Sequence, residues 1–267
     1  VIVAIWYDRW ALTGAGHEHE TKRERDGMIR AVIFDFNGVL VDDEQVHFDL
    51  FQEVLAQEGV AITGDDYHGR YLGLDDRGCF EAALTDGGQE AGRDRVDDLI
   101  ARKARRYAEV AARGLRFFPG AAECLAALAD RWPLAINSGA LRPEIEFALE
   151  LIGRRDRVAV IVSAEDTTRC KPHPEGYTLA LEGLKARGGP GLADLSAGSC
   201  LVIEDSLAGI ESAKGAGMWA VGVPNTYSRE QLRSAGADDV VEGLPGFTPG
   251  WISDRFDPAR SLRGRLP

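Results

Sequence analysis

The chain has 267 residues, 45% of them hydrophobic and 28% charged, with a formal net charge of −12. That length suits one large or two modest domains around a buried core. The acidic balance argues against a nucleic-acid surface or an anionic-membrane binder and leaves small molecules as the expected partners, with a local basic pocket for a small phosphate still open.

In chain order, Val1 to Trp10 is apolar but too short to span a bilayer, and Asp8 and Arg9 interrupt it where an export signal needs an unbroken apolar region. Gly14 to Gly27 is rich in Glu, Lys, Arg and His without apolar periodicity, and Met28 stands just before the first strand. Residues 1–27 therefore read as an N-terminal extension: sequence upstream of the true start, or a disordered arm, with a short docking strand at Val1–Tyr7 as the rival. Cys79, Cys124, Cys170 and Cys200 show no C-x-x-C or metal spacing. That pattern argues against a disulfide framework or zinc site and points to a reducing cytoplasm.

Ala31–Phe36, Leu134–Asn137, Val158–Val162, Leu201–Glu204 and Trp219–Val223 are short apolar, β-branched runs ending in polar or Gly-containing turns, the pattern of buried parallel strands. Helical periods lie between them at Ala121–Asp130, Pro143–Ile152, Pro174–Arg187 and Leu207–Gly215, which predicts an α/β fold with a doubly wound, Rossmann-like parallel sheet. Residues 46–117 break the rhythm with three helical patterns and no strand, at Val46–Gln57, Gly78–Leu84 and Val96–Arg113. They read as an inserted α-helical cap domain, leaving 28–45 and 118–250 for the core. Such a cap can supply specificity and exclude water at the sheet's carboxyl edge. The tail, 251–267, lacks a clear period and is expected to be loosely attached.

Four segments carry chemistry. The first runs Phe34-Asp35-Phe36-Asn37-Gly38-Val39-Leu40-Val41-Asp42-Asp43-Glu44, a strand ending in a carboxylate followed by a Gly turn. The second is Ala135-Ile136-Asn137-Ser138-Gly139, where Ser138 alone would read as a turn or N-cap residue. The third is Cys170-Lys171-Pro172-His173-Pro174-Glu175, with a Lys at a helix entrance. The fourth is Leu201-Val202-Ile203-Glu204-Asp205-Ser206-Leu207-Ala208-Gly209-Ile210. Its adjacent carboxylates need a cation if they share a pocket with Asp35, or else Asp205 and Ser206 merely cap the next helix.

Together and in this order, the four segments resemble the signatures of the haloacid dehalogenase superfamily: D-x-D-G-T/V-L-x-D-S-E, a strand-ending Ser or Thr, G-K-P-x-P, and h-h-E-D-S-x-x-G-I. The resemblance covers roughly Arg30 to Gly246, and the helical insertion is similar to the cap of the phosphoglycolate phosphatase and β-phosphoglucomutase branch. It implies a Mg²⁺-dependent phosphatase acting on a small phosphorylated metabolite through an aspartyl-phosphate. In that scheme Asp35 is nucleophile and metal ligand, and Asn37 lends its backbone carbonyl to the metal. Ser138, the N–H of Gly139 and Lys171 hold the phosphoryl group. Asp205 ligates Mg²⁺, with Glu204 as a ligand or acting through water. Asp35, Glu204 and Asp205 carry −3, and Lys171 with Mg²⁺ carries +3.

The chain departs from the pattern at Asn37, where the family has a second Asp that protonates the leaving oxygen. An amide copies the shape of the neutral acid but transfers no proton, a loss worth about 10²–10⁴ in rate. His47, twelve residues past Asp35, is a substitute acid or simply a helix-surface His. Arg77 is either a substrate-binding cation or half of a surface ion pair. Two alternatives to hydrolysis stay open: phosphoglucomutase-like phosphoryl transfer, and a phosphate-ligand sensor that has lost turnover.

Overall fold

The apolar runs form a sheet because each is buried on both faces, which only helices packed on either side can achieve. The computed structural model describes residues 28–189 and 191–256; the N-terminal extension and positions 257–267 of the tail lie outside the described residues. The strands are β1 (Ala31–Phe34), β2 (Leu134–Asn137), β3 (Val158–Val162), β4 (Cys200–Glu204), β5 (Trp219–Gly222) and β6 (Asp239–Val240). All pair in parallel in the order β3-β2-β1-β4-β5-β6. The order reverses at β1, so the carboxyl ends of β1, β2 and β4 border the crevice where open α/β sheets bind ligands.

Among the described residues, four cap and core helices of more than one turn precede β2: α1 (Glu44–Gln57), α2 (Asp76–Asp86), α3 (Arg93–Ala111) and α4 (Ala121–Ala129). Five more follow it there: α5 (Arg142–Leu151), α6 (Glu175–Arg187), α7 (Leu207–Gly215), α8 (Arg229–Ser234) and α9 (Pro249–Phe256). The described structure is thus a parallel α/β sheet of the expected class, with a helical layer inserted after β1. Helices α1–α3 share a core of their own, which includes Phe51, Leu55, Phe80, Leu84 and Leu99. The two crossings into this layer lie side by side: Val41 bridges Phe117, and the N–H of Phe118 donates to the Leu40 carbonyl at 3.0 Å.

Boundaries of the core elements fall within about two residues of the sequence reading, as expected where apolar period and turn residues agree. Short elements that were not anticipated include the turn Gly64–Asp66 continuing as a π-helical Tyr67–Tyr71, α8 and β6. Each is too short to show a period. The tail reading needs correction at its start, since Trp251 to Phe256 belong to α9. Ile252 is fully buried there, and the Phe256 ring meets that of Trp219 at 5.3 Å. Placing a charge at that position with Ile252→Asp should lower the melting temperature by about 5–10 °C, the effect of a loss of about 2–3 kcal/mol in a chain of this size. A shift under about 2 °C in a thermal melt would return α9 to the status of a loose end. Among the described residues no helix is long and apolar enough to cross a membrane, and all four cysteines are unpaired.

Candidate active site

Three neighbouring strands deliver the residues at their carboxyl ends to one pocket. Asp35 follows β1, Ser138 and Gly139 follow β2, and Asp205 follows Glu204, the last residue of β4; Asp35, Ser138, Gly139 and Asp205, with Asn37 and Lys171, line a cavity of about 140 Å³ beneath the cap helices. Lys171, from the loop before α6, bridges two carboxylates at 2.6 Å each, Asp35 Oδ1 and Glu204 Oε1. Oxygen atoms of Asp35, Glu204 and Asp205 lie within 4.8 Å of one another.

Fully ionised, this cluster would carry −3 against the +1 of Lys171, and all three carboxylates are buried. Burial and the charge of Glu204 raise the Asp35 pKa to about 7, against the lowering pull of Lys171. Burial, with Glu204 and Asp35, likewise drives Asp205 well above the ordinary carboxylate range. Burial pushes Lys171 down, but Asp35 and Glu204 outweigh it and hold the ammonium above its usual pKa. An excess of two negative charges on hard oxygen donors fits a small divalent cation such as Mg²⁺.

The three carboxylates are not equivalent. Glu204 Oε1 accepts from Lys171 and from the Tyr177 hydroxyl at 2.9 Å. Its Oε2 accepts from the N–H groups of Asp205 (3.0 Å) and Ser206 (2.9 Å) and from Ser206 Oγ (3.0 Å). Its lone pairs are largely spent inside the protein. Asp205 accepts from Thr226 Oγ1. It also sits so close to Gly38, which has φ +77°, that a Cβ there would overlap its carboxylate. Ser206 Oγ caps α7 through the N–H of Gly209 at 3.0 Å, while Asp205 faces the pocket.

Asn37 reaches the pocket as well, and its amide is held from behind. Nδ2 donates to both oxygens of Asp43 (2.9 and 3.1 Å) and lies 3.1 Å from His47 Nε2, whereas Oδ1 accepts from Ser138 Oγ at 3.3 Å. Asp43 also accepts from the Tyr107 hydroxyl at 2.6 Å. Burial acts to raise the Asp43 pKa, but His47, Asn37 and Tyr107 together bring it to about 2. His47 lines the pocket wall with both ring nitrogens facing the protein: Nε2 lies 3.3 Å from Asp43 Oδ2 as well as 3.1 Å from Asn37 Nδ2, and Nδ1 lies 2.9 Å from Lys103 Nζ. Burial and Lys103 push the His47 pKa down, Asp43 and Glu144 push it up, and the net direction is up. Lys103, fully buried on α3, also holds Asp76 of the cap at 2.5 Å.

The structure thus brings Asp35, Asn37, His47, Ser138, Gly139, Lys171 and Asp205 to the pocket's lining. Glu204 lies directly behind Lys171 and Asp205. Arg77 is not among them; it pairs with Asp97 and Glu81 on the cap. Asp43 lies in the first segment, where the sequence leaves it open to the site or to solvent, whereas Tyr177 and Thr226 carry no sequence signal for their positions. The spacing Val96, Leu99, Lys103, Tyr107 on one face of α3 hints that Lys103 and Tyr107 point inward.

Comparison with known proteins agrees with this geometry. Residues 29–217 match the model of the haloacid dehalogenase-like hydrolase family. The chain is 32% identical over 240 residues to the plasmid-encoded protein CbbY of Cupriavidus necator, covering 83% of this chain and 91% of that one. It is 30% identical to the validoxylamine A 7'-phosphate phosphatase of Streptomyces hygroscopicus subsp. limoneus, over 81% of this chain and 95% of the other. A mutant of CbbY from Rhodobacter sphaeroides, solved in complex with xylulose-(1,5)bisphosphate, superposes with a TM-score of 0.70 at 26% identity, covering 81% of this chain and 95% of that one. The chain belongs to the haloacid dehalogenase-like hydrolase family, in the helix-capped branch that holds phosphoric monoester hydrolases and β-phosphoglucomutases.

Proposed function

We propose that this protein hydrolyses the phosphate ester of a small metabolite through an aspartyl-phosphate on Asp35, with Mg²⁺ held by Asp35, Asp205 and the backbone carbonyl of Asn37. The observation that carries this reading is Asp35 at the mouth of β1, 2.6 Å from Lys171, in one pocket with Ser138 and Asp205. The metal would neutralise charge on the phosphoryl oxygens and on the two carboxylates. Glu204 acts through its partners rather than as a direct ligand, because its oxygens are already engaged. Lys171 and Ser138 orient the phosphoryl group for in-line attack by the Asp35 carboxylate: the oxygen–phosphorus bond to Asp35 forms as the bond to the ester oxygen breaks. Water then attacks the phosphorus and regenerates Asp35. A cytoplasmic location belongs to this reading, since all four thiols are free.

The rest of the cavity lining bears on the substrate. It includes the carboxylates Glu44, Asp75 and Asp76, with Tyr67, His173 and the exposed cation Arg169, which pairs with Glu175. A second phosphate would face carboxylates, so the substrate carries one phosphate on a hydroxyl- or amine-bearing body. In a screen with Mg²⁺, monophosphates should outpace the corresponding bisphosphates at least tenfold.

Asn37 bears on the rate. Asn37 supplies no proton where the family has its second Asp: it presents a carbonyl oxygen to the pocket, and the His47 nitrogens face Asp43, Asn37 and Lys103. Nitrophenyl or acyl phosphates, which leave without a proton, should therefore be turned over about 10²–10⁴ times faster than alkyl phosphates of similar affinity. The same lack of a base slows attack of water on the aspartyl-phosphate, so a burst of leaving group should precede the steady state. Equal rates on both ester classes would sink this account. The geometry at Asn37 also favours the sensor as second reading: phosphorylated metabolites that bind and stabilise the fold without any turnover would establish it.

A further inference from the structure

Asp43 occupies the N-cap position of α1 but makes no side-chain capping bond there. It is 1% exposed, and its carboxylate is spent inward on the Asn37 amide, the Tyr107 hydroxyl and the His47 ring, whose Nε2 lies 3.3 Å from Oδ2. A carboxylate in such a ring of donors only accepts, so the amide nitrogen of Asn37 must face it and the amide oxygen is left on the pocket side, near Ser138. We infer that Asp43 is the positioning residue for Asn37, and that the two form a reciprocal pair whose carboxylate stands one hydrogen bond behind the place where it would meet substrate.

The inference rests on the hydrolytic reading above and changes what repair of Asn37 requires. An Asp at position 37 alone would set two carboxylates against each other across the 2.9 Å now spanned by a hydrogen bond. Two buried carboxylates that close do not both stay ionised, so they would hold a proton between them rather than offer it to the pocket. Exchanging the two side chains keeps the hydrogen bond, with donor and acceptor reversed, and brings the acid to the pocket.

The test compares the wild type, Asn37→Asp, Asp43→Asn and the exchange Asn37→Asp/Asp43→Asn. The exchange should hydrolyse alkyl phosphates about 10–10³ times faster than the wild type and narrow the gap to nitrophenyl phosphate. Asn37→Asp alone should gain less than a tenth of that and melt lower. The full gain in Asn37→Asp with unchanged melting, and nothing added by the second substitution, would overturn the inference. An Asn37→Asp protein that fails to fold while the exchange folds supports it. Should the exchange not fold either, titration of inorganic phosphate with Mg²⁺ decides, using Asp43→Asn in the wild-type and Asn37→Ala backgrounds. Freed from Asp43, the Asn37 amide can turn its N–H to the anion, so Asp43→Asn should tighten phosphate binding at least threefold, and not at all where Asn37 is Ala. An equal effect in both backgrounds makes Asp43 a mere charge and overturns the proposal. If that cycle holds while no protein hydrolyses any ester, hydrolysis fails as the function and the positioning role stands.

Discussion

Asp35→Asn should lower turnover of every phosphate ester by about four powers of ten or more, while the metal-free protein becomes more stable at pH 8. The first effect follows from chemistry: an amide does not form the aspartyl-phosphate, and loss of a nucleophile typically removes most of the rate enhancement. The second follows from electrostatics. Burial and Glu204 raise the Asp35 pKa from 3.8 to about 7, so the folded protein holds this proton more tightly than the unfolded chain does. The associated stability is fully present below about pH 4 and is lost as pH rises through about 7. Asparagine stays neutral throughout and escapes that loss, on the order of 2–4 kcal/mol, or about 5–10 °C in melting temperature. Lys171 keeps Glu204 as its partner at 2.6 Å, so removal of the Asp35 charge does not strand the ammonium. Nitrophenyl phosphate assays and melts in EDTA at pH 6 and pH 8 check both halves. Turnover within tenfold of wild type refutes the nucleophile; a melting temperature that falls at pH 8 refutes the charge argument.

Mg²⁺ should stabilise the protein far more at pH 8 than at pH 6, and EDTA should remove activity reversibly. The cation replaces protons on a cluster that is otherwise two charges in excess. Burial and Glu204 raise the pKa of both Asp35 and Asp205, so protons compete with the metal, at Asp35 until pH passes about 7. Displacing one proton costs about tenfold in affinity for each pH unit below that point. At a concentration one hundred times its dissociation constant, a ligand adds about 2.7 kcal/mol, which corresponds to roughly 5–10 °C here. Thermal melts across Mg²⁺ concentrations at the two pH values give the answer. An identical shift at both would mean that the metal binds elsewhere, and no shift at pH 8 would remove it from the site.

Much of this molecule was legible in advance because local and global signals agree. Residues Leu134–Asn137, Val158–Val162 and Leu207–Gly215 form the elements their periods predict, to the residue. The residues that end the strands meet at one edge for a topological reason: parallel strands all finish on the same side, so polar residues closing β1, β2 and β4 converge without any long-range instruction in the sequence. The weak points were elements of a turn or two, and α9, where tertiary packing of Ile252 and Phe256 supplies what a short period does not.

The sequence by itself determined the α/β class, the position of the helical insertion, and the identity of the carboxylates, the Ser and the Lys that line the pocket. Tertiary structure alone decided how they are used. It saturates Glu204 with five donors and pairs Arg77 away from the pocket. It turns both nitrogens of His47 into the protein and the amide of Asn37 toward Asp43. The reason is one of range. Apolar periods and turn residues act over a few neighbours along the chain, whereas the partner of a buried polar group is chosen by whichever donor or acceptor the fold brings within about 3 Å, at any separation in sequence.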